Sequence, residues 1–327
     1  MSRSMQTEDT FLAKMPDQAT ENVLYIFVLL LCILEIVGGF TCAPWLTFGL
    51  CFFSVVCIYV VPKFTIHYDK RWMRVFYVIY VLPLLFLLYP FALGLTRGLH
   101  DYYFDSPLIA VDRFLFVGTN PTQWIFAHIH LPGFIVEVLE YSYVADYLYP
   151  LSLGVALFIR RDFRGLKEFR FAMVYGAILS FVINITIPAI GPRFTLHEFA
   201  NLGKELPGMW IISGLRDQLN SAEGISALMT SKEAALSVLR DAFPSGHTML
   251  TLMTLIFAFR YKVGLRWFLL PLGISLILST VLLRYHYVID VISGIVFALI
   301  AIKTAPPLQY FLNRQPWGFG GTVNKKP

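Results

Sequence analysis

The sequence predicts an all-α fold: a polytopic transmembrane helix bundle of about eight spans. Three observations carry the prediction. The 327 residues are 57% hydrophobic with a mean hydropathy of +0.65, far above what an ordinary soluble domain needs to build its core. The apolar residues fall in runs of roughly 20, the length that crosses a bilayer as a helix. Lysine and arginine gather in alternate loops between those runs, as insertion into a membrane requires.

Residues 1–22 form a polar N-terminal tail of mixed charge. The first apolar run begins near Asn22 without a small-residue cleavage site, so it reads as a span and not as a secretory signal. Spans follow at about 23–40, 44–62 and 73–95. Between Thr96 and Pro132, Leu115, Phe116 and Trp124 stand among polar residues, the pattern of an interfacial segment. Residues 23–132 therefore form an N-terminal unit. Further spans are expected at about 133–158 and 170–190. A polar excursion occupies 195–242, where Trp210, Ile211 and Ile212 suit a return to the interface. The last spans fall at about 247–261, 266–283 and 288–306, before a tail, 307–327, that ends in Lys325 and Lys326. Cys32, Cys42, Cys51 and Cys57 all lie in the first two runs without metal-type spacing and read as packing residues.

With eight spans, the side that carries both termini holds 18 Lys and Arg and the other side holds 8. That asymmetry makes the first side cytoplasmic. It also explains the net charge of +5 by topology, without a nucleic-acid partner.

The chemistry gathers between Phe243 and Asp290. Two apolar runs, Met249 to Phe259 and Trp267 to Leu283, are joined by a short basic loop. A chain that crosses a bilayer and returns brings the residue before its first helix and the residue after its second to the same side. His247 and His286 should therefore meet on the extracytoplasmic or lumenal face. Asp290, four residues after His286, stands beside the imidazole on a helix. A carboxylate there fixes the tautomer and leaves the other ring nitrogen a better base or nucleophile.

These residues resemble the motifs of the type 2 phosphatidic acid phosphatase superfamily, which also includes haloperoxidases. Its motifs are Lys, six residues, Arg-Pro; Pro-Ser-Gly-His; and Ser-Arg, five residues, His, three residues, Asp. The second is complete at Pro244, Ser245, Gly246 and His247. The third keeps Ser279, His286 and Asp290, with Thr280 at the arginine position. The first is altered, with Thr186 at the lysine position and Pro192 and Arg193 in reversed order. The resemblance implies a catalytic membrane core of five to six helices over residues 133–306. It implies that His286 attacks phosphorus, that Asp290 orients it and that His247 protonates the leaving oxygen. Ser245, Gly246 and Arg193 would bind phosphate. Arg284, which is not one of the motif positions, either replaces the charge missing at Thr280 or snorkels to lipid phosphates. No cofactor or metal enters this scheme.

The implied activity is a lipid phosphatase that cleaves a phosphomonoester or pyrophosphate. A phosphotransferase of the inositol phosphorylceramide synthase type, which passes a phospho-headgroup to a lipid acceptor, is the alternative, because loss of two cations suits a phosphodiester. A non-catalytic membrane protein with the same fold is the third reading. Glu137, Glu140 and Asp146 are unusual acids in the fourth span. Glu137 and Glu140 share a face and are candidates for a headgroup pocket or for pairing with Arg193 or Arg284. His128 and His130 lack a third ligand and suit an interfacial role. Asn184 suits helix packing.

Overall fold

A computed structural model describes residues 18–39, 44–68, 70–210, 212–222, 224–226 and 229–314. The predicted tails at 1–17 and 315–327, with Lys325 and Lys326, lie outside the described residues, as do Cys42 and Ile211. Regular structure among the described residues is helical throughout. It begins with α1 (Gln18–Val37), α2 (Pro44–Tyr68) and a stretch divided into α3 (Arg71–Ile79), α4 (Val81–Gly94) and α5 (Thr96–Leu99). The short helices α6 (Asp105–Leu115) and α7 (Pro121–His128) follow, then α8 (Gly133–Val144), a 3₁₀ turn at Ala145–Tyr147, and α9 (Leu148–Ile159). After α10 (Phe163–Thr186) come α11 (Pro192–Thr195), α12 (Leu202–Glu205), α13 (Ile212–Ala222) and α14 (Ser231–Ser237). The chain closes with α15 (Gly246–Arg260), α16 (Arg266–Leu282) and α17 (Val288–Leu312).

Prolines set two of the breaks. A proline lacks the N–H that would bond four residues back and crowds that carbonyl. Pro83 acts in this way on Ile79, where α3 ends, and Pro150 acts on Asp146, inside the 3₁₀ turn between α8 and α9.

Six stretches among the described residues are long and apolar enough to cross a membrane: Gln18–Val37, Pro44–Thr65, Trp72–Leu99, Gly133–Ile159, Phe163–Thr186 and Val288–Leu312. The other two predicted spans, α15 and α16, are shorter, at 15 and 17 residues. At the helical rise they reach only about 22 and 25 Å. The eight expected spans thus resolve into six long ones and a short hairpin. Polar residues set its limits, since His247 and Thr248 stand in the first turn of α15 and Arg284 and His286 follow α16.

Helix α10 is the centre of the bundle. It touches α1, α4, α9, α15 and α17, and 67% of its apolar window is buried against 22% for α2 at the periphery. Close helix approach there depends on small residues. A Cβ at Gly176 would stand 2.8 Å from the Met253 sulfur, and one at Gly273 would stand 2.9 Å from Leu255 Cδ1, so α10 and α16 both press directly on α15. Buried acids and bases are paired, as a low-dielectric interior demands. Glu21 on α1 accepts from Arg170 (3.1 Å), Tyr77 (3.1 Å) and Tyr80 (3.2 Å), which ties three spans at the bundle end opposite His247.

Candidate active site

His286 sits in the turn between α16 and α17, almost fully enclosed. Its Nδ1 lies 2.7 Å from the Ala242 carbonyl and 3.5 Å from Asp290 Oδ2. A carbonyl can only accept, so the proton rests on Nδ1 and the Nε2 lone pair is left for chemistry. The predicted His–Asp pair is therefore present, with a closer acceptor that the sequence did not signal. Asp290 also braces its own helix, because its Oδ2 accepts from the Tyr287 amide at 2.8 Å and closes the first turn of α17. Its side chain is completely buried.

His247 faces His286, with ring centroids 5.7 Å apart. The predicted convergence of the two imidazoles on one end of the bundle is what the hairpin delivers. His247 Nε2 is 3.5 Å from Asp146 Oδ2, a carboxylate displayed by the 3₁₀ turn that Pro150 imposes. Ser245 caps α15: its Oγ accepts from the Thr248 amide at 3.2 Å, while its own N–H donates to the Asp290 carbonyl at 3.0 Å. Gly294 permits this junction, since a Cβ there would lie 2.7 Å from the Ser245 carbonyl. Gly246 opens the helix, where the first amides have no intrahelical acceptor and favour an anion.

Arg193 is buried behind this pair. Its guanidinium lies 4.9 Å from the centre of the Tyr285 ring. Tyr285 stacks on Tyr143 at 4.2 Å, and Tyr143 stacks on His247 at 4.3 Å. Four side chains thus form a continuous column from Arg193 to the general-acid candidate. Tyr143 lies three residues after Glu140 and three before Asp146, one helical face that the sequence displays; sequence reasoning nonetheless missed the tyrosine partners. Arg193 is set by Gly191, whose φ of +88° and whose Tyr285 carbonyl 2.6 Å from any Cβ admit only glycine.

The segment expected at the interface supplies two buried acids. Asp105 accepts from the Ile190 and Gly191 amides and from the Tyr287 hydroxyl (2.8 Å). Asp112, two turns further along the same helical face, accepts from the Val288 (3.1 Å) and Ile289 (2.8 Å) amides that begin α17. Burial pushes both carboxyls up, while these hydrogen bonds pull in the opposite direction. Helix α6 thus clamps the Gly-Pro-Arg turn and the first turn of the helix that carries Asp290.

The excursion folds back over α8, roofs the site and brings donors of its own to the acids of that helix. Glu140 takes Arg216 (2.6 Å) and the Tyr285 hydroxyl (3.3 Å). Glu137 accepts from the Met209 and Trp210 amides. Arg284, one of the cations expected beside these two acids, pairs instead with Glu205 and lies over the Phe126 ring, 3.6 Å from its centre. Burial and then that guanidinium hold the neighbouring His197 down to about 4, so it stays neutral. Thr186 and Thr280, at the motif positions lacking a cation, turn their hydroxyls to their own helix carbonyls, Val182 and Ile277. His128 turns to the Trp124 carbonyl. Among the described residues no cluster of three metal-type side chains occurs.

No curated protein and no solved structure matches the chain. A sequence profile described as the PAP2 superfamily matches residues 106–304, more than half of the chain, from α6 to α17. Every motif residue of the site lies inside that range. With two facing imidazoles, a carboxylate behind one of them and helices long and apolar enough to cross a bilayer, this integral membrane protein belongs to the PAP2 superfamily, whose chemistry is of the phosphatase type.

Proposed function

We propose that the protein is a lipid phosphatase acting through a phosphohistidine on the extracytoplasmic or lumenal face. The observation that carries this reading is the pair of rings 5.7 Å apart, with Nδ1 of His286 turned to two acceptors and its Nε2 left as nucleophile. His286 Nε2 forms a bond to phosphorus as the bond from phosphorus to the lipid oxygen breaks. His247 gives its proton to that oxygen. Water then attacks the phosphoryl group, returns a proton to His247 and frees His286. Asp290 and the Ala242 carbonyl hold the imidazole throughout. Ser245, the amides at the start of α15 and Arg193 offer donors to the equatorial oxygens, whose charge spreads in the transition state.

Transfer to a lipid hydroxyl instead of water is the second reading. Thr186 and Thr280, whose hydroxyls are spent on their own helices, favour it, because a site short of two cations suits a phosphodiester better than a dianionic monoester. Purified protein in micelles should release free phosphate from phosphatidic acid or prenyl pyrophosphate, with His286→Ala inactive. Headgroup exchange between phosphatidylinositol and ceramide or diacylglycerol, without free phosphate, would select the transferase. No turnover of either kind would return the chain to the non-catalytic reading.

A further inference from the structure

A cleft of about 110 Å³ runs beside His247 between α4, α9 and α10. Its walls are apolar and span much of the bundle height, from Leu166 and Phe169 up to Leu250. Phe86 and Val155 on its rim are 56% and 40% exposed, so it opens sideways towards the bilayer. Its upper end is polar, with Tyr89, Asp146, Asn184, Asp241 and His247.

The polar end offers acceptors. One N–H of the Asn184 amide donates to the Asp241 carbonyl at 3.3 Å. Its Oδ1 is buried without a partner, in a side chain only 2% exposed. Such an atom costs stability unless a donor reaches it. The Asp241 carboxylate is occupied by the Tyr89 hydroxyl. Asp146 Oδ1 takes the Tyr147 amide, and its Oδ2 stands 3.5 Å from His247 Nε2. Among the described lining residues the one arginine, Arg170, is engaged by Glu21 far below. An end of this kind repels a phosphate and welcomes an O–H on an apolar chain.

We propose that this cleft seats a lipid alcohol, with its hydroxyl between His247 and Asp146, a further polar hydrogen such as a second O–H or an amide N–H on Asn184 Oδ1, and its chains leaving between Phe86 and Val155. The proposal rests on the phosphoryl-transfer reading and names the lipid half of its substrate. The lipid oxygen leaves phosphorus with the bonding pair and takes the proton of His247. Run in reverse, the hydroxyl gives its proton to His247 and its oxygen attacks the phosphoryl group on His286. One seat thus serves as leaving-group site for hydrolysis and as acceptor site for transfer.

The test is photolabelling of the full chain in micelles with a diacylglycerol carrying a diazirine on one acyl chain, mapped by peptide mass spectrometry. The expected adducts fall on α4, α9 and α10. Unlabelled diacylglycerol should compete at least tenfold better than its O-methyl ether, and a ceramide, whose amide N–H and second O–H can reach Asn184 Oδ1, should compete better than diacylglycerol, an advantage that Asn184→Leu should remove. Labelling is also read in His286→Ala, where the proposal expects it unchanged. If His286→Ala still turns over lipid phosphate, the phosphohistidine reading fails while the labelling pattern stands on its own. Adducts as dense on the peripheral α2 as on the cleft, equal competition by the ether, or better competition by a long-chain amine would each overturn the seat.

Discussion

At the scale of single residues, the site works by fixing which nitrogen of each imidazole is free. His286 is held by a backbone carbonyl and a carboxylate on the same nitrogen, so its orientation does not depend on substrate. His247 is held by packing: Tyr143 lies flat against it and is itself backed by Tyr285 and Arg193. A misplaced general acid costs rate steeply, because proton transfer needs close alignment. Tyr143→Ala should therefore lower kcat by about 10- to 100-fold, by analogy with other small misplacements, with KM nearly unchanged. Tyr143→Phe, which keeps the ring, should restore most of it. Steady-state kinetics of the two variants check this, and equal losses in both would show that stacking is not what places His247. Of these residues, His247, His286 and Asp290 were legible in the sequence because the chemistry fixes their spacing along the chain. The Ala242 carbonyl was not, since any residue presents one. Tyr285 and Arg193 meet only through tertiary folding.

At the scale of elements, α6 carries a role that its composition hid. Exposed Phe114 and Val117 give this segment the look of a surface helix. Its opposite face places Asp105 and Asp112 against the start of α17 and the turn before α11. Asp112→Ala would leave the Val288 and Ile289 amides without their acceptor, at a cost of about 1 kcal/mol for such half-buried donors. A lower melting temperature and slower turnover are expected together, because the first turn of α17 also positions Asp290. Thermal unfolding in detergent, read beside kcat, tests the linkage, and an unchanged kcat with a lowered Tm would separate the clamp from catalysis. The hairpin shows the same limit of sequence reading. Hydropathy found both of its helices, but their short length follows from the polar ends that the site requires. Likewise, Pro150 was visible in the sequence, while its effect on Asp146 depended on which helix faced His247.

At the scale of the molecule, the described residues gather their motif positions at one end of six long apolar helices and a short hairpin, while the Glu21 and Arg170 cluster closes the other. At the helical rise, Glu137 stands about 13 Å above Asp146 on the same span, so the upper part of α8 and the excursion bound to it extend beyond the imidazoles. That arrangement suits a site at headgroup depth under a roof. We propose, from the charge asymmetry of the loops, that this roof lies outside the cytosol. With the native cysteines replaced, Gln218→Cys should react with an impermeant thiol reagent added from the extracytoplasmic or lumenal side, and Arg164→Cys from the cytosolic side alone. The reverse pattern would invert the topology. The central claim is the nucleophile. Protein incubated with ³²P-labelled phosphatidic acid, quenched in alkali and digested, should carry an acid-labile, base-stable label on the peptide containing His286. Label on another residue, or undiminished turnover in His286→Ala, would contradict it.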